Sequence, residues 1–155
     1  MKLVKETNRG FQYQLSPQEA RSLRLLITQF PVAPLSAVKI SKSDPEAFAR
    51  ERLLNESLAA HREESKRKAG ELIAPDKFTE SGSSQLFRIS AQKRETMLQI
   101  LNDIRVESWR ALGGPENLET CALGLTGEKF KYYHFMHTAG FFEYHFLNLG
   151  GLDEK

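Results

Sequence analysis

From Phe11 to Leu15 the chain alternates apolar and polar residues, with Phe11, Tyr13 and Leu15 on one side and Gln12 and Gln14 on the other. That is the period of a half-buried strand. Just before it, Thr7-Asn8-Arg9-Gly10 supplies turn residues that tolerate positive φ. Residues 1–15 are therefore predicted to form a β-hairpin pairing Leu3–Glu6 with Phe11–Gln14. An isolated hairpin is marginal in water, so this one is expected to lie on helices.

The pattern then changes to a helical period. Ser16-Pro17-Gln18-Glu19 has the form of a capping box with proline at the first helical position. Ala20, Leu23, Leu26, Ile27 and Phe30 follow at three- and four-residue steps and mark a core face that Pro31 ends. A second helix opens at Asp44-Pro45, with Ala47, Glu51, Leu54, Leu58 and His61 as its expected seam. The charged run from His61 to Lys68 is expected to project into solvent as that helix finishes. Thr79-Glu80-Ser81-Gly82-Ser83-Ser84 makes residues 76–84 the expected mobile linker.

The third helix is predicted over Ala91–Leu112, capped by Ser90 and stopped by Gly113-Gly114-Pro115. Met97, Ile100, Leu101, Ile104, Trp109 and Leu112 line its apolar stripe, and its length of about 33 Å suits a central pillar. A short helix from Pro115 to Leu123 and a last helix capped by Thr126 and ended by Gly150-Gly151 complete the set. The expected fold is mainly α (α+β): four to five helices around a central long helix, with a short N-terminal hairpin. Residues 1–155 form one domain, 16–155 being the helical body. The third helix is expected between the first and the last, with Leu26, Phe30, Leu54, Leu101, Ile104, Phe135 and Phe142 buried.

The segment Phe130–Leu149 departs from the ordinary amphipathic pattern. It holds eight of the chain's phenylalanines and tyrosines and three of its four histidines. Tyr132, Phe135, Met136, Ala139, Phe142 and Phe146 form one stripe, assigned to the core. Phe130, Tyr133, Phe141 and Tyr144 fall on the other side, among His134, His137 and His145. Fully exposed, those four rings would offer on the order of 600–1,000 Å² of aromatic surface. A soluble monomer rarely leaves so much apolar surface open. A protein partner or a homodimer is therefore expected there, with association weakening below about pH 6.5 as imidazoles gain charge.

Composition narrows the choice of function. With 155 residues, 40% hydrophobic and 27% charged, the chain suits one globular domain. A net charge of +2 does not make nucleic acid or an anionic membrane the default partner. The single cysteine, Cys121, leaves no internal disulfide and fits a reducing cytoplasm. The polar start Met1–Glu6 does not read as a secretory signal, and no apolar run reaches the ~20 residues of a membrane span. A cytoplasmic protein without membrane segments is the expectation.

Catalytic patterns are missing. There is no nucleophile elbow, no phosphate-binding glycine loop and no metal-protease helix motif in the sequence. His134 and His145 lie about 16 Å apart along a helix axis, too far to share one ion with His137. Hence no catalytic residue, cofactor or metal site is assigned. The dense basic run Lys66-Arg67-Lys68, with Arg62 nearby, is diluted by Glu63 and Glu64 and lacks an adjacent aromatic platform. This argues against nucleic-acid binding.

Leu101-Asn102-Asp103-Ile104-Arg105-Val106 resembles the Leu-Asn-Asp-Leu-Arg-Leu signature of an uncharacterised bacterial family. That family, a domain of unknown function, includes actinobacterial aspartate- and oxidative-stress regulators. The likeness extends to the layout of hairpin, capped first helix, Glu/Arg-rich second helix around Glu51–Glu56, and aromatic last helix. It implies a small cytoplasmic regulatory or adaptor-like protein. The redox member of the family uses a cysteine pair, which this chain lacks. Asn102, Asp103 and Arg105 sit off the main stripe, where they either solvate the surface and bond to a neighbouring segment or form a partner-facing patch. The leading expectation is a non-enzymatic regulatory or protein-interaction module. The alternative is a small-molecule-binding protein or enzyme whose pocket uses Tyr133, His134 and His137.

Overall fold

A computed structural model describes residues 1–32 and 44–147. The hairpin forms as predicted: β1 (Lys2–Thr7) pairs antiparallel with β2 (Gly10–Leu15), with an irregularity between Leu3 and Lys5. Ser16 then caps α1 (Pro17–Thr28), its hydroxyl accepting from the Glu19 amide at 3.1 Å while Glu19 accepts from the Ser16 amide at 2.8 Å. Asp44 caps α2 (Pro45–Leu72).

The segment expected to be a mobile linker is structured instead. A single 3-10 turn, Pro75–Lys77, leads into β3 (Phe78–Ser81), and Gly82, at φ +60°, helps turn the chain into β4 (Ser84–Ile89). Glycine followed by a small polar residue suits a two-residue hairpin turn, and Phe87 and Ile89 alternate with Arg88 behind it. The serine-rich composition hid a second hairpin. Antiparallel pairing of β2 with β4 joins the two hairpins into one sheet of order β1-β2-β4-β3.

Ser90 caps α3 (Ala91–Ala111), which ends where Gly113 and Gly114 take positive φ. The short α4 (Leu118–Ala122) and α5 (Glu128–Phe146) follow. The residue preceding α5 is Gly127 at φ +62°, so Thr126 is not its cap; Gly150-Gly151 lies outside the described residues. The fold is mainly α with a small antiparallel sheet.

One face of the sheet, carrying Tyr13, Leu15, Phe87 and Ile89, closes on the helices. Leu23 and Ile27 of α1, Met97, Leu101 and Ile104 of α3, and Phe142 and Phe146 of α5 complete the core. Tyr13 sets its ring edge-on to Phe146 at 5.0 Å and donates its hydroxyl to the Phe146 carbonyl at 3.2 Å. This bond satisfies a carbonyl at the end of α5 and ties that helix to the middle of the sheet. The principal helix pair is α3 with α5, and α5 also touches α1. The last helix, not the third, thus occupies the middle of the layer.

Leu26, Leu101, Ile104 and Phe142 are buried as expected, and Phe30 and Phe135 pack partly against the core. Leu54 is not: it is exposed on α2 along with His61. The inward line of α2 runs through Ala47, Glu51, Asn55, Leu58, Arg62, Ser65, Ala69 and Leu72, keeping Ala47, Glu51 and Leu58 of the expected seam but taking Asn55 and Arg62 in place of Leu54 and His61, a turn of roughly 30°. Full burial along α2 is confined to its final turns, Ala69 and Leu72, so Leu53 and Leu54 upstream had no core to point towards. The helix continues through the charged run, where Arg67 pairs with both Glu64 and Glu71 at helical spacings that support it.

Candidate functional site

The core stripe of α5 holds. Ala139, Phe142 and Phe146 are buried, and Tyr132, Phe135 and Met136 half-buried. The other side of the helix remains on the surface: Phe130 is 56% exposed, Phe141 40% and Tyr144 45%. Tyr133 and His145 are half-buried, while His134 and His137 are exposed. Neighbouring rings on this side touch. Tyr133 packs edge-on to His137 at 4.4 Å, and Phe141 to His145 at 4.4 Å. Phe130 reaches Tyr133 at 6.3 Å. Phe130 to Tyr144 spans about 21 Å of helix, so the rings form a line and not a cluster.

Neither the hairpin nor residues 113–128 cover this line. Intra-face stacking does, however, shield part of each ring. At the observed exposures Phe130, Phe141 and Tyr144 together present on the order of 300 Å², well below the figure expected for fully exposed rings. Burial, and after it the nearby N-terminal ammonium, push His145 below the ordinary histidine range, with Glu19 partly offsetting them.

Beside the line, α1 and α5 leave two adjoining open grooves of about 420 and 350 Å³. Ser22, His134 and Thr138 line both, making one furrow whose far end carries Leu25, itself 59% exposed. Tyr133 does not line it. The three polar groups of the pocket alternative therefore do not converge on a closed cavity. Among the described residues no three His, Cys, Asp or Glu side chains are placed to share a metal ion. No helix among them is long and apolar enough to cross a membrane.

The Asn102-Asp103-Arg105 group divides. Arg105 crosses to α5 and pairs with Glu143, a carboxylate that the sequence pattern did not single out and that is 9% exposed. The Arg105 guanidinium also lies beside Gly140, where an added Cβ would come within 3.9 Å of Nε. Arg105 is thus a clasp between the two principal helices. The neighbouring segment it bonds to is α5. Asn102 and Asp103 are exposed on the outer side of α3, the Asp103 carboxyl being pushed up by partial burial and by Glu107.

Of the remaining candidates, Cys121 is a free, half-buried thiol. Arg67 and Lys68 of the basic run are held by acids on their own helix. Trp109, expected in the core stripe, is 41% exposed; its indole N–H donates to the Pro115 carbonyl at 3.0 Å and its ring lies against Gly114. In comparisons with known families, curated proteins and solved structures, nothing matches this chain. The chemistry of the α5 face rests on its own geometry.

Proposed function

We propose that the protein is a non-enzymatic interaction module that pairs with a second copy of itself through the outward face of α5. The observation that carries this reading is the line of part-exposed rings, Phe130, Phe141 and Tyr144, which the hairpin and the loops among the described residues leave open. A two-fold pairing presents the same line to itself, so no second complementary surface has to exist elsewhere. About 300 Å² of aromatic surface is small against the ~800 Å² that each partner contributes to a stable interface. The pairing must therefore draw in the α1–α5 furrow with Leu25, and it belongs with weak, reversible contacts.

The histidines give this surface a pH sense. His134 and His137 lie on it in each copy, and two copies bring four imidazoles together. Acidification, by charging imidazoles, then adds like charges across the interface, which weakens it. The resemblance of Leu101–Val106 to a family of bacterial regulators supports a cytoplasmic regulatory or adaptor setting for such a module. Sedimentation velocity from roughly 10 to 500 µM, the range for weak contacts, tests the reading at about pH 7.5 and 5.5. Concentration-dependent dimerisation at the higher pH, reduced at the lower, is expected. A monomer throughout overturns it.

A further inference from the structure

The helices cover one face of the sheet; the other face is open and, at one end, strongly basic. There the β1–β2 turn, the 3-10 turn and the end of β4 surround a groove of about 430 Å³. Lys5, Arg9, Lys77 and Arg88 line it, against one carboxylate, Asp76. Asp76 sits 3.7 Å from Lys77, whereas Lys5, Arg9 and Arg88 have no ion pair among the described residues. The acids Glu6 and Glu80 pair in register with Phe11 and Gln85, not with the Gln12–Arg88 row, so they do not neutralise this face.

The simplest account of such charges is protection of sheet edges. Lysines on an edge strand discourage strand addition, and that explains Lys5 on β1. It does not explain Arg88, which stands on a strand paired on both sides, nor the turn residues Arg9 and Lys77 brought in beside it. We propose that this groove binds a short chain of condensed phosphates, as carried by an inorganic or nucleotide di- or triphosphate.

Three features select that ligand. Lys5 and Arg88 flank Gln12 in one row across β1, β2 and β4. With Asp76 offsetting one of the four cations that line the groove, three positive charges remain, more than one phosphate balances and suited to linked ones. Phosphate oxygens only accept, and lysine and arginine only donate, so every such contact is charge-assisted. Finally, a strand of nucleic acid would want an open ring to stack on. The nearest ring, Phe11, is already covered by the Arg94 guanidinium at 3.8 Å from its centre.

Titration calorimetry of the full chain with inorganic triphosphate in low-salt buffer tests this. One-to-one binding is expected, roughly tenfold or more tighter than orthophosphate and weakened at least about tenfold by Lys5→Gln/Arg88→Gln. Both side chains are exposed, and circular dichroism checks that the variant folds. Arg52→Gln/Lys66→Gln, on α2, should bind as the unaltered chain does. ATP binding as well as, or better than, triphosphate assigns the phosphates to a nucleotide; weaker binding assigns them to the inorganic chain. No triphosphate binding, or binding indifferent to Lys5→Gln/Arg88→Gln, overturns the proposal. So does tighter binding of a single-stranded oligonucleotide or of anionic phospholipid vesicles that the same variant abolishes.

Discussion

Replacing Arg105 by methionine removes the ion-pair partner of Glu143 while keeping most of the aliphatic stem against α5. The Glu143 side chain is 11% exposed, so it cannot recover full hydration where it stands. Removing one partner of a fully buried pair costs ~3–5 kcal/mol. Here the Arg105 side chain is 46% exposed, so water can approach the carboxylate from that side. The cost should therefore fall to about 2 kcal/mol, within the ~1.5–3 kcal/mol of a hydrogen bond to a charged group. For a chain of this length that is a fall in Tm of about 4–8 °C. Glu143→Leu should cost less, because Arg105 can turn outward into water. The double variant should be more stable than the sum of the singles by at least ~1 kcal/mol. Urea denaturation of the three variants closes the cycle. A loss below about 0.5 kcal/mol for Arg105→Met, with no coupling, would mean that the clasp is a surface contact of the kind that contributes little.

Three further outcomes are expected. Leu101→Ala and Ile104→Ala, at wholly buried positions on α3, should each cost roughly 2–5 kcal/mol in urea denaturation; losses under half a kcal/mol at both would put the wrong face of α3 inside. Ser108 is fully buried with no hydrogen-bond partner for its hydroxyl among the described residues, so Ser108→Ala should leave the urea midpoint unchanged or raise it, and a loss above about 1 kcal/mol would reveal a missed partner. His145 takes a proton less readily in the folded chain than in the unfolded one; the stability tied to its neutral form is complete above about pH 6.5 and falls as pH drops from there through the folded value. His145→Gln should remove part of that loss, and an identical pH slope in the variant would refute the assignment.

The parts of the fold that were legible in the sequence are those where local chemistry and tertiary demand agree. Ser16-Pro17-Gln18-Glu19 and Ser90 cap helices by bonds to amides within three residues, so the residues alone carry the information. The core stripe of α5 follows from spacing for the same reason. Leu54 misled because an apolar residue on a helix is only as buried as its neighbours allow, and the N-terminal part of α2 has few. The strand pair at 78–89 was masked by serines that belong to a turn and not to a linker. Glu143 was invisible as a partner of Arg105 because they are thirty-eight residues apart. The basic groove gathers positions 5, 9, 77 and 88 through pairing of β2 with β4, a contact no local pattern announces.

The most direct test of the α5 face compares two pairs of exposed apolar residues. Phe130→Ser/Phe141→Ser removes rings from the proposed interface, whereas Leu53→Ser/Leu123→Ser removes still more exposed apolar side chains from α2 and the α4–α5 connection. Sedimentation velocity across the same concentration range at about pH 7.5 should show the unaltered chain and the leucine variant dimerising alike, with the phenylalanine variant monomeric. Equal loss of association in both variants, or no association in the unaltered chain, would contradict the account.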